Sequence, residues 1–224
     1  DSIGTGFYMV DIHPCGANER GRMMMPKPFQ IPMSTLIPQG VRNFLPAGKN
    51  IGVTHLTNGA FRLHPVEWNV GEAAATMASL ALRDGAMPEP GAVQTELAKA
   101  GVPLVWFDDL NPSHPAFAAI QLAALRGVYP MHSADLHASP DAPVTRAEAA
   151  VALAAHFGKP SDDAAKMAVE QGWLAVDHRN WFHGDLPFYW TDCRAALPPF
   201  AMKRTGPVTR ADLAIRLGQP QAQR

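Results

Sequence analysis

The run from Pro65 to Gly85 constrains the fold of this chain more than any other stretch. Val66, Val70, Ala73, Ala74, Met77, Leu80 and Ala81 recur at helical spacing and form one apolar stripe. Pro65 suits the first helical position, where its missing N–H costs nothing. Glu67 and Glu72 bring negative charge toward the positive end of the helix dipole, and Gly85 is a natural stop. The small residues from Gly71 to Ala75 allow close approach to a neighbouring backbone. Upstream, Asn43–Gly48 reads as a strand and the following stretch as a loop punctuated by Gly52 and Gly59. Residues 43–86 are thus expected to form one strand–loop–helix unit.

Residues 1–42 are rich in Gly, Pro and Met. The run from Gly6 to His13 is strand-like, while Phe29–Pro32 and Thr35–Pro38 are short extended stretches. The residue before a proline is pushed toward extended backbone, so these read as loops or edge strands. Met87-Pro88-Glu89-Pro90-Gly91 reads as a linker or turn. From about Val93 the chain reads as helices with long connections.

Pro143-Val144-Thr145-Arg146-Ala147-Glu148 recurs as Pro207-Val208-Thr209-Arg210-Ala211-Asp212. Thr145 with Glu148 is a full capping-box pattern, and the helices that follow end at Gly158 and Gly218. Each copy is preceded by a further helix, His114–Arg126 before Gly127 and Asp162–Gln171 before Gly172. An insertion ahead of the second copy holds Trp173, Trp181, Phe182, Phe188, Tyr189 and Trp190.

The chain has 224 residues, 47% of them hydrophobic, enough for sizeable cores. A net charge of -1 argues against nucleic acid as a partner. No apolar run reaches bilayer length. Cys15 and Cys193 are too few and too distant to suggest a disulfide framework or a zinc site. Asp177, His178, His183, Asp185, Asp192 and Cys193 fit no compact metal motif, so no metal is expected. His13 and Cys15 would share a strand face, where a single Cys is read as inert. The start at Asp1 reads as that of a fragment. Compartment stays open between bacterial cell surface, periplasm and cytoplasm.

Phe29-Gln30-Ile31-Pro32, Leu36-Ile37-Pro38, Asn43 to Gly48, Thr54-His55, Asn58-Gly59-Ala60-Phe61-Arg62 and Gly71-Glu72-Ala73-Ala74 follow one another in a telling order. This order resembles the C-terminal, cofactor-closing segment of FAD-dependent oxidoreductases of the fumarate reductase and succinate dehydrogenase flavoprotein kind. The resemblance implies an α/β fold, the C-terminal part of a Rossmann-like FAD-binding domain. Residues 1–42 would end the substrate or cap region and supply flavin-contacting loops. It implies FAD as cofactor and hydride transfer between flavin and a small organic substrate. Ala47 and Gly48 would lie by the ribityl and phosphate groups. Asn58, Gly59, Ala60 and Gly71 would approach the cofactor, and the helix opened by Pro65 would aim its N–H groups at the flavin pyrimidine. Arg62 would orient the substrate, its planar fork suiting a carboxylate. His55 and His64 would supply protons or hydrogen bonds. Two positions depart from the family pattern, Ala75 in place of Gly and Met33 in place of an aromatic. The sequence also lacks G-x-G-x-x-G, the usual pyrophosphate handle, so the chain by itself is expected to be inactive.

Phe107-Asp108-Asp109, the helix His114–Arg126, Gly127 and Pro143–Glu148 resemble S-layer homology repeats in order. That resemblance implies a small all-α repeat module over 93–218 and a hold on cell-wall polysaccharide. The rival to the flavoenzyme is then a non-catalytic, surface-attached carbohydrate-binding module, with Arg146 and Glu148 contributing.

Overall fold

The computed structural model describes residues 1–18, 20–131, 136–195, 197 and 205–218. The chain divides into two compact units, Asp1–Trp106 and Phe107–Arg224.

In the first unit, β1 (Ser2–Gly6) pairs antiparallel with β4 (Phe29–Pro32), and β2 (Val10–Ile12) pairs antiparallel with β3 (Arg22–Met24). The helices are α1 (His55–Phe61), α2 (His64–Asp84) and α3 (Pro90–Lys99), and α2 and α3 pack on β1. Every residue of β1 is buried. A Cβ at Gly6 would lie 2.6 Å from the Phe29 ring and 3.0 Å from Val66, so only glycine lets strand and helix meet here. Asn69 Nδ2 then donates to the Thr5 carbonyl at 2.8 Å. Ile3, Ile31, Leu36, Met77, Leu97 and Leu104 are fully buried.

Helix α2 buries Val66, Val70, Ala73, Ala74, Met77 and Leu80. Pro65 takes the second helical position, and Gly85 closes the helix with φ 70° and an N–H bond to Ala81 O. Glu67 lies in the first turn; Glu72 is too far along to meet the dipole's end.

The strand expected over Asn43–Gly48 is not formed. A strand needs a ladder partner, and none of the described strands lies against it. Pro46 lacks an N–H, and Asn43 sits at φ 56°, outside the extended region. The expected loop is interrupted instead by α1, capped by Thr54, whose side chain exchanges bonds with Thr57. Met33–Leu36 is a single 3-10 turn, which takes up Thr35 and Leu36 from the extended stretch expected over Thr35–Pro38, with Thr35 Oγ1 donating to Pro32 O at 2.7 Å. The stretch Gly6–His13 breaks into the end of β1 and β2. The expected break at Met87–Gly91 is partly taken up by α3, for which Pro90 is again a suitable opening residue. Helices with small sheets fit an α/β part, but the described strands pair only antiparallel, so a parallel Rossmann sheet is not formed among them.

The second unit holds α4 (Phe117–Leu125), α5 (Arg146–His156), α6 (Ala164–Glu170) and α7 (Arg210–Leu217), with α4 against α7 and α5 against α6. Thr145 and Thr209 both form complete capping boxes, with Glu148 and Asp212. Helices α4 and α6 are shorter than expected. Asn111 Oδ1 holds Ser113 N–H in a turn ahead of α4, and Asp163 caps α6. Gly127, Gly158 and Gly172 follow helix ends at φ between 67° and 69°.

The aromatic insertion contains a third, altered copy of the repeat, Pro187-Phe188-Tyr189-Trp190-Thr191-Asp192. Backbone bonds join the three copies in a closed ring. Val144 N–H donates to Val208 O at 2.8 Å, Val208 N–H to Phe188 O at 2.9 Å, and Phe188 N–H to Val144 O at 2.8 Å. Asp192 Oδ2 accepts from Tyr189 N–H, as Glu148 and Asp212 do from Thr145 and Thr209. Arg210 pairs with Glu148 at 2.9 Å and Arg146 with Asp192 at 3.4 Å. At the third corner Trp190 stands where the other copies have Arg, and the Arg216 guanidinium lies 5.5 Å from its ring centre.

Candidate functional site

The site is built on the close approach of α1 to β2. A Cβ on Gly59 would lie 2.8 Å from Asp11 O and 3.2 Å from Val10 Cγ1, so α1 is set against the strand at a distance only glycine permits. Arg62, three residues on and at the end of α1, shares that face. Its Nη2 donates to Asp11 O at 3.0 Å and Asp11 Oδ2 at 2.8 Å. Strand periodicity places His13 on the side of Asp11, and His13 Nε2 bonds the same Oδ2 at 2.8 Å. Val10 and Ile12 point the other way, into an apolar groove of about 870 Å³ shared with Phe29, Leu56 and Phe61.

Asp11, His13, Gly59 and Arg62 line a basin of about 320 Å³, joined by Tyr8, Lys49 and His64. The start of α2 opens beside it. Leu63, its cap, makes no side-chain bond to the helix's first N–H groups, in contrast to Thr54 of α1. An uncapped helix start near Lys49, Arg62 and His64 favours negative charge. Lys49 Nζ is 3.8 Å from Glu67 Oε2, a loose pair that leaves the lysine half exposed.

Of the residues expected from the sequence, Gly59, Arg62 and His64 meet at this basin. His55 does not. It opens α1 at the far end, where Cys15 Sγ is 3.6 Å from its Nε2, in a separate recess with Arg20 and Arg22. Ala60 is buried and faces the apolar groove. Asn58 is half-buried, and its N–H closes the first turn of α1 on Thr54 O. Pro65 is exposed beside His64. Ala47, Gly48 and Gly71 gather separately, where the loop before Lys49 lies on α2. A Cβ on Gly71 would be 3.7 Å from Ala47 O, and one on Gly48 3.8 Å from the Glu67 carboxylate. Asp11, Lys49 and Tyr8 were not singled out in the sequence. The available signal was Asp11-Ile12-His13, an acid and an imidazole two apart on a strand.

In the second unit, Arg146 and Glu148 are engaged internally. Arg146 donates to the carbonyls of Phe182 and Ala175 and pairs with Asp192, while Glu148 holds Arg210 and Thr145 N–H. Both side chains thus hold the unit together from within. Among the described residues no group of three His, Cys, Asp or Glu is placed to hold a metal, and no helix is long and apolar enough to cross a membrane.

Residues 1–97 match the family model of FAD dependent oxidoreductase. The match covers less than half of the chain and ends inside α3. It supports a flavin-dependent oxidoreductase part in general terms, and the family implies FAD as the cofactor. No curated protein and no solved structure matches the chain. The residues present suit the ring end of such a cofactor. An uncapped helix start beside cationic side chains is where an electron-rich flavin pyrimidine is stabilised. For the pyrophosphate the sequence offers no Gly-rich motif.

Proposed function

We propose that residues 1–106 carry the flavin-ring end of an FAD-dependent oxidoreductase site of the fumarate reductase-like kind, acting on a small organic acid. The observation that carries the reading is the meeting of the α2 start with Arg62, His64 and Lys49 on one basin, inside the stretch that matches the family. Bound FAD supplies a two-electron acceptor or donor for hydride. The chain's own part is to hold the reactants. Arg62 presents guanidinium N–H groups to a substrate carboxylate, and the α2 start offers N–H groups where negative charge collects. His64 and Lys49 stand at the basin wall as hydrogen-bond donors. With no Gly-rich pyrophosphate motif in the sequence, the chain by itself is expected to give no turnover.

The test uses a protein that contains this chain and binds FAD. In Arg62→Ala, flavin absorbance should persist while turnover falls by about 10²-fold or more, the usual scale for losing a substrate-orienting charge. Full turnover in that variant would remove Arg62 from the reading. Failure of any protein carrying residues 1–106 to bind flavin would remove the reading itself.

A second reading concerns the module expected over 93–218, of which α3 belongs to the first unit and the rest begins at Phe107, as a polysaccharide-binding repeat module at a bacterial cell surface. It is supported by the closed ring of three copies, since the repeats it resembles usually occur in threes. Arg146 and Glu148, being engaged internally, would serve it only as scaffold. A pull-down of the chain on purified cell wall tests it, and a clean failure to bind would remove it.

A further inference from the structure

We propose that Asp11 is the positioning residue of the basin, its Oδ2 atom holding Arg62 and His13 side by side so that both face one small carboxylate ligand. This rests on the substrate class proposed above and adds the two residues that shape its seat.

Arg62 and Asp11 are far apart in sequence, and the packing of α1 on β2 through Gly59 brings them together. A guanidinium has five N–H donors. The two on Nη2 are taken by Asp11 O and Oδ2, which fixes the plane of the group. The Nε donor and the two on Nη1 remain for a ligand, as separate charge-assisted contacts, because both forked edges of the group include Nη2. The same Oδ2 accepts from His13 Nε2, which fixes the ring and leaves Nδ1 toward the ligand, as a donor in the imidazolium form. Lys49 and His64 line the same basin, and Asp11 is the one carboxylate among its lining residues. A volume of about 320 Å³ fits a small molecule.

As a stabilising device the Asp11–Arg62 pair contributes little, because both side chains are one-third exposed and solvent screens them. That separates a positioning role from a structural one. Charge alone also gives the opposite sign to positioning: removing the Asp11 carboxylate takes a repelling charge away from an anion site and would tighten it.

The experiment is calorimetric titration of the 224-residue chain with oxalate, which needs no flavin and no known substrate. Asp11→Asn should weaken oxalate binding by about tenfold, as expected when a binding group loses its fixed orientation. The melting temperature should stay within about 3 °C of the parent chain. The Arg62 Nε–H resonance, held apart from the other arginines by the pair, should collapse toward them in the variant. His13→Gln should weaken oxalate by a smaller factor and leave that resonance in place. Equal or tighter oxalate binding in Asp11→Asn overturns the proposal, as does absence of oxalate binding to the parent chain. Failure of every protein carrying residues 1–106 to bind FAD, measured separately by flavin fluorescence, would count against the flavoenzyme reading and leave the oxalate result to decide the role of Asp11.

Discussion

A methyl group at position 59 would meet the Asp11 carbonyl oxygen at 2.8 Å, closer than carbon and oxygen rest. In an ordinary helix, alanine in place of glycine gains about 1 kcal/mol from backbone entropy. Here the obstacle is strand backbone, which has no rotamer to move into, and overpacking of that kind costs about 1–3 kcal/mol. Overpacking should win. Gly59→Ala is expected to lower stability by about 1 kcal/mol in urea unfolding, and to weaken oxalate binding because α1 carries Arg62 away from Asp11. A stabilised variant with parental oxalate affinity would show that the contact yields. Arg62 was singled out in the sequence because Asn58–Arg62 resembles a flavoprotein segment, and the structure places it on the basin. Asp11 was not, because its importance lies in a contact with a distant helix.

His156 gives a second test at this scale. Burial holds its imidazole below the ordinary range, Arg126 pushes the same way, and the bond to Leu217 O opposes them. In the unfolded chain it titrates near pH 6.5. Below that pH the unfolded chain takes up a proton that the folded one refuses, so stability is full above about pH 6.5 and is lost as pH falls toward the folded value. His156→Gln should flatten the fall in melting temperature between about pH 7.5 and 5.5. An unchanged slope would assign the loss to other groups.

Among the elements, those with their own punctuation were readable in advance: α2 with Pro65 and Gly85, α5 and α7 with their threonine caps. Each signal is local, so neighbours in sequence suffice to form it. The strand read over Asn43–Gly48 failed because pairing is not local, and no described strand lies beside it. The third repeat copy was missed for a related reason. Tyr189 and Trp190 replace the Thr and Arg of the other copies, leaving only the proline and the acid at their spacing. The ring is made by backbone N–H and C=O groups, which tolerate those changes. If Phe188 occupied an ordinary loop, its truncation would be mild. Because it is fully buried as one corner of the ring, Phe188→Ala should cost about 3–5 kcal/mol in denaturant unfolding. Thr145→Ala, which removes one cap and leaves the core intact, should cost about 1 kcal/mol. Equal and small effects would mean that the third corner is not part of the core.

At the scale of the whole chain, the family match and the compact unit end at different places. The match stops at residue 97, within α3, whereas the unit continues to Trp106. Of the residues between, Ala98, Val102 and Leu104 belong to the core by their burial: Val102 is 5% exposed and Leu104 is fully enclosed. Leu104 O also accepts from Ser2 Oγ at 2.7 Å, which fastens the start of β1, and the Trp106 ring packs edge-on against Phe7 at 5.5 Å. Burying a valine or leucine side chain contributes about 1.5–3 kcal/mol each. Loss of both, with the buried Ser2 hydroxyl left only its 3.1 Å bond to Gly4 O, is a large part of a small unit's stability of about 5–15 kcal/mol. A fragment of residues 1–106 should therefore unfold at clearly higher urea than one of residues 1–97, with the shorter piece losing near-ultraviolet circular dichroism from its aromatic packing. If the two fragments unfold together, the segment after α3 only lies on the surface of a core completed without it. The seat of Arg62 and Asp11 would then depend on the matched residues alone.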